Sequence, residues 1–202
     1  MATNPAIPLR FQRAEFEAKA DLSPAGLGML ASHPHPIRYL ETLLAAQLHE
    51  DAVRALVLML PHREVVWLGC LAAQILPGLD QRKPDAAAIE AAEKWVRSGA
   101  HDDAELAGEA AARANNDFAP AWVATAAFWA GPSLVARGMP PVAPAPHLPG
   151  MAVRTALILL MSEPALQGRV RFADWLDLGV ALMQGGNGIA AQTELRRRLF
   201  EA

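Results

Sequence analysis

The stretch Leu60-Pro61-His62-Arg63-Glu64-Val65-Val66-Trp67-Leu68-Gly69-Cys70-Leu71 decides the fold class. Proline fits the first helical position, where its missing N–H would have no partner anyway, and an acid in the first turn faces the positive end of the helix dipole. Pro61 and Glu64 therefore mark a helix start. Beyond them nearly every residue is apolar, and a helix that is apolar all round must be covered on every side. The spacing predicts a central buried helix over 61–76, stopped by Pro77-Gly78, with Trp67 and Cys70 one turn apart in the core.

Helical spacing continues in both directions. Pro36 opens a segment that puts Ile37, Leu40, Leu44 and Leu48 on one face, and Asp51 is a candidate cap for a helix carrying Val53, Leu56, Val57 and Leu60. Residues 84–98 carry an inner stripe of Ile89, Ala92 and Val96, with Trp95 beside it. Asp102 or Asp103 is expected to cap a helix ending near Ala114, and Asp117 one over 118–130. Helices resume at 150–162, 172–184 and 188–200, the last two separated by Gly185-Gly186-Asn187-Gly188. No run alternates with period two. The expectation is all-α: one compact domain of about eight to ten antiparallel helices over 36–202, with an N-terminal segment, 1–35, packed on it. Trp122 and Trp129 are further core anchors.

Met139 to Pro149 holds five prolines and reads as an extended crossover, since proline breaks a helix interior. Such a segment either lies clamped over its own helices or serves as a recognition strand for a partner's aromatic groove. Its Pro140, Pro141, Pro144, Pro146 and His147, with Arg63 and Glu64, are the candidate partner-facing residues.

Composition narrows the function classes. With 52% hydrophobic and 19% charged residues the chain can bury a substantial core. A net charge of −3 with three lysines argues against nucleic acid. Eight acids against three bases over Asp85–Asp117 make either an ordinary solvated face or a patch for a basic partner. The single Cys70 excludes an internal disulfide and fits a reducing compartment, and no basic-then-apolar leader is visible, so the expected location is cytoplasmic. The 19 uncharged residues Phe118–Ala136 are interrupted by Pro120, Gly131 and Pro132, which argues against membrane insertion.

Candidate chemistry is thin. His33 and His35 are the closest histidine pair, yet no Cys or carboxylate stands at a matching spacing, and a structural zinc site needs four ligands. Cys70 sits in the most apolar helix, where burial opposes the thiolate. Asp174 and Asp177 lie at a helix start, where acids complement the dipole. The glycines at 185, 186 and 188 lack the strand-then-helix context of a phosphate loop. No catalytic residue, cofactor or metal is assigned. The rival expectation is an enzyme or ligand-binding pocket between helices.

The motifs L-P-H-R-E-V-V-W-L-G-C-L-A-A at 60–73, A-A-E-K-W-V at 91–96, A-A-F-W-A-G-P-S-L at 126–134 and P-P-V-A-P-A-P-H-L at 140–148 carry a resemblance. The chain resembles, over 36–185, a bacterial helical family of unknown function whose genes occur in type VI secretion clusters, near spike, PAAR-tip and effector-loading genes. That resemblance implies a chaperone-like adaptor that acts by protein–protein interaction. Its expected partner is a secretion spike, an effector or another adaptor. It brings no catalytic residues.

Overall fold

The computed structural model describes residues 13–32, 35–135 and 139–201. Among them are eleven α-helices and no strand: α1 (Arg13–Lys19), α2 (Pro24–Ser32), α3 (Pro36–Ala45), α4 (His49–Met59), α5 (His62–Ala73), α6 (Lys83–Ser98), α7 (His101–Arg113), α8 (Ala119–Trp129), α9 (Leu148–Ser162), α10 (Phe172–Met183) and α11 (Ile189–Phe200). The count exceeds eight to ten because two helices, α1 and α2, form within the N-terminal segment. A single turn of 3-10 helix, Leu79–Gln81, follows Gly78.

Helix α5 is the axis of the domain and packs against α6, α8, α9, α10 and α11. Val65, Val66, Leu68, Cys70, Leu71, Ala72 and Ala73 are all buried, as an all-round apolar helix requires. Helices α6, α7 and α8 pack mutually on one side, and α4 contacts α3, α9 and α10 on the other. Small residues set the closest approach. A Cβ built on Gly150 would stand 2.5 Å from the Val57 carbonyl oxygen, so only glycine lets α9 reach α4 there. Gly188 leads into α11 at φ +74°, and a Cβ on it would meet Leu71 of α5 at 2.5 Å.

The N-terminal helices share this core. Phe16, Ala20, Leu22 and Leu30 are buried in it, and the Phe16 ring stands edge-on to Tyr39 at 6.2 Å. A polar latch completes the attachment. The Ser23 hydroxyl accepts from the Gly26 N–H at 3.1 Å, the bonding of a helix N-cap, while its own N–H donates to the buried Asp51 carboxylate at 3.0 Å. The Tyr39 hydroxyl donates to the Gly26 carbonyl at 2.9 Å. Burial, with Asp51 nearby, pushes the Tyr39 phenol up to about 12, so it remains a donor. Asp51 is thus a tertiary anchor in the first turn of α4 rather than its cap.

Other sequence expectations shift in place. Asp103 and Asp117 do not cap, since Ala100 and Phe118 hold the N-cap positions of α7 and α8. Trp95 lies in the buried stripe of α6 and Val96 beside it, the reverse of the expected order. Helix α9 begins at Leu148, with Pro149 in its first turn where no N–H is needed, so the crossover ends at His147 instead of Pro149. The interior tryptophans are Trp175 and Trp95. Trp67, Trp122 and Trp129, expected in the core, are half-buried at its edge, where each ring keeps one side on the core. The indole N–H groups of Trp67 and Trp122 donate to the Asn187 and Asn116 carbonyls, each at 2.8 Å.

Candidate interaction face

The N-terminus of α5 and the proline crossover meet at one place. His62 Nε2 lies 2.9 Å from the Pro146 carbonyl oxygen and ties the crossover to the mouth of the central helix. Proline fixes φ, and a residue preceding proline is held extended. Within 139–146 only Val142 is neither a proline nor followed by one. The fold restrains that residue directly: the Val142 N–H donates to Ser133 Oγ at 3.2 Å, and its carbonyl accepts from the Leu134 N–H at 2.8 Å. Every backbone unit of the strap is thus limited either by proline chemistry or by a hydrogen bond.

The strap faces outward. Met139 is 63% exposed and Val142 50%, and Pro140, Pro141, Ala143 and Pro146 are also exposed. Pro144 and His147 are half-buried. His147 occupies the N-cap position of α9 in helical conformation, with no side-chain cap bond. No residue of 139–146 is charged.

Arg63, one residue along from His62, is exposed but engaged. Its Nε donates to the Val96 carbonyl at 2.8 Å and its Nη2 to the Arg97 carbonyl at 2.9 Å. These carbonyls close α6, where a cation complements the negative end of the dipole. Glu64 is half-buried. The fold therefore ties Pro146 to the start of α5, next in sequence to Arg63 and Glu64, but gives Arg63 an internal duty. Met139 and Val142, the exposed large apolar side chains of the strap, were not among the residues predicted to face a partner; the spacing of the prolines around Val142 was the available signal.

Elsewhere the polar groups are largely occupied with one another. The acidic stretch is mostly consumed internally. Asp103 pairs with Lys94 at 2.9 Å, Glu93 with Arg97 at 3.3 Å and Glu109 with Arg113 at 2.7 Å, and Asp85 is buried. Hydrogen bonds from Ser98 and Lys94 hold the Asp103 carboxyl below its ordinary range. Asp85 is pushed up, first by burial, although the Arg82 guanidinium opposes the shift. Asp174 accepts from the Arg171 N–H at 2.7 Å and from Arg198 at 2.6 Å, joining α11 to the start of α10. Burial raises the Cys70 thiol well above its ordinary value, which disfavours the thiolate. Among the described residues no three His, Cys, Asp or Glu side chains are grouped to hold a metal ion; His35 is exposed and His33 lies outside those residues. No described helix is long and apolar enough to cross a membrane.

A concavity of about 430 Å³ lies beside the 3-10 turn, with Leu76, Leu79 and Ile89 on its apolar side and Gln74, Glu93 and Arg196 on its polar side. Asp80 and Glu90 also line it, and three of its polar groups, Gln74, Glu93 and Arg196, are bonded to the protein itself. Gln74 donates to Glu93 and accepts from Gln192 at 2.9 Å, while Arg196 donates to the Gln74 carbonyl at 3.0 Å.

The model of a family of unknown function, DUF6931, matches residues 39–183, which hold both the central helix and the strap. No curated protein and no solved structure matches the chain.

Proposed function

This chain belongs to the DUF6931 family of unknown function, and we propose that it is a non-catalytic interaction protein, an adaptor that helps load effector cargo on a type VI secretion spike. One observation carries the interaction reading: the charge-free strap Met139–Pro146 is held in place by the fold yet turned to solvent. Exposed apolar surface of this kind marks contact sites, and a segment ordered beforehand loses little entropy on binding. The secretion-spike setting rests on the motif resemblance alone, and the family description names no function. The cytoplasmic location belongs to the same reading. The rival, a small-ligand site, is favoured by the concavity of about 430 Å³, although Gln74, Glu93 and Arg196 in its lining are bonded to one another.

The test is photocrosslinking in the native host, with benzoylphenylalanine replacing Met139 in one strain and Lys83 in another. Lys83 is exposed at the far end of α6 from Arg63, about 20 Å away along the helix. A spike or effector protein attached through position 139 and not through position 83 is the expected result. No adduct at 139, or the same adducts at both positions, overturns the reading.

A further inference from the structure

We propose that the partner reads the strap as a left-handed polyproline helix, through a groove lined with aromatic side chains. The inference rests on the interaction reading above and names the chemistry of the partner.

Three observations select that occupant. First, conformation: prolines and pre-proline residues favour φ and ψ of the polyproline helix, and Val142, the one residue free of that constraint, is hydrogen-bonded to Ser133 and Leu134. The three-residue repeat of that helix places Pro140, Ala143 and Pro146 along one edge, and all three are exposed. Pro144 and His147 share an edge with Pro141 and are half-buried. Pro141 itself is exposed and Ala145 half-buried, so the outward surface is the run Met139–Ala143 together with Pro146.

Second, hydrogen bonding: an added strand needs a row of backbone donors, and prolines supply none. Pro140, Pro141, Pro144 and Pro146 lack the N–H, and that of Val142 is spent on Ser133. Backbone donors remain only at Met139, Ala143 and Ala145, a short and interrupted row that disfavours pairing with a sheet edge. Third, charge: with no ionisable side chain from Met139 to Pro146, the strap offers no ion pair to an acidic or basic surface. What it presents is proline rings with Met139 and Val142 beside them, which are flat and apolar. Aromatic faces complement such a surface, as in recurrent recognition of proline-rich segments. The segment also carries the spacing P-x-x-P at Pro141-Val142-Ala143-Pro144.

The full chain with benzoylphenylalanine at position 139 is crosslinked in the host, and the adduct is mapped on the captured protein. It is expected on a segment holding several Trp, Tyr or Phe residues. Combining Pro140→Gly with Pro141→Gly frees the backbone and should lower adduct yield about tenfold at unchanged melting temperature. If that double variant is unstable, Val142→Asp keeps every proline, puts a charge on the ridge, and should abolish the adduct. An adduct on a surface without aromatics, or full yield in these variants, overturns the polyproline inference and leaves the interaction reading standing. An adduct between two copies of this chain overturns the separate partner. Absence of any adduct overturns both.

Discussion

Arg63 donates to the Val96 carbonyl at 2.8 Å, so a residue expected to face a partner closes the C-terminus of α6. Arg63→Ala should lower stability by about 0.5–1.5 kcal/mol, as donor contacts to the Val96 and Arg97 carbonyls at a solvent-exposed helix end are worth little more. Crosslinking through position 139 should persist in the folded variant. A loss of crosslinking at unchanged melting temperature would return Arg63 to the interface.

The tryptophans should divide by position. Trp175 is fully buried, and Trp175→Ala should cost about 3–5 kcal/mol in chemical denaturation. Trp67 is half-buried and bonded to the Asn187 carbonyl. Trp67→Phe keeps a ring on the core and loses that bond, so its cost should be about 1 kcal/mol. Equal costs for the two variants would contradict this division.

Gly150→Ala should destabilise by about 1–3 kcal/mol, because the Val57 carbonyl is backbone and can yield only if α4 and α9 move apart. Gly28, in α2, has nothing near its Cβ position, and Gly28→Ala should be neutral or stabilising, through the better helix propensity of alanine. Melting temperatures of the pair measure the contrast directly.

Two buried aspartates should give opposite pH dependence. Asp103 titrates below its ordinary range when folded, so its stabilisation is present above the unfolded pKa, near 4, and is lost as pH falls through the lower folded value. Asp103→Asn should therefore lower the melting temperature at pH 7 and converge with the parent in acid. Asp85 is raised when folded, so its ionisation opposes folding as pH climbs above about 4. Asp85→Asn should raise the melting temperature at pH 7, with the gain vanishing in acid. Parallel pH–melting curves for parent and variants would refute both assignments.

What the sequence by itself determined is the set of helices and their punctuation. Those signals act within a few residues: Pro36, Pro61 and Pro84 open helices, and Gly78 and Gly99 reverse the chain at positive φ. The central place of α5 was equally legible, because a helix with no polar face has no stable position except the middle. The proline strap was readable as non-helical, and its polyproline bias is local chemistry.

The inward stripes of α4 and α6 were broadly legible, but tertiary structure decided the finer rotation of the helices. The rotation of α6 that buries Trp95 and leaves Val96 at the edge is set by α7 and α8, not by spacing within α6. The same holds for Trp175 inside and Trp67, Trp122 and Trp129 at the edge of the core: neighbouring positions on an apolar helix are equivalent until partners choose among them. Arg63 met Val96 across 33 residues, Asp51 met Ser23 across 28, and His62 met Pro146 across 84. A hydrogen bond over such separations leaves no periodic trace in the chain. Its geometry arises only after apolar burial has brought the helices together, so the duties of Arg63 and Asp51 were open in the sequence and are settled by packing.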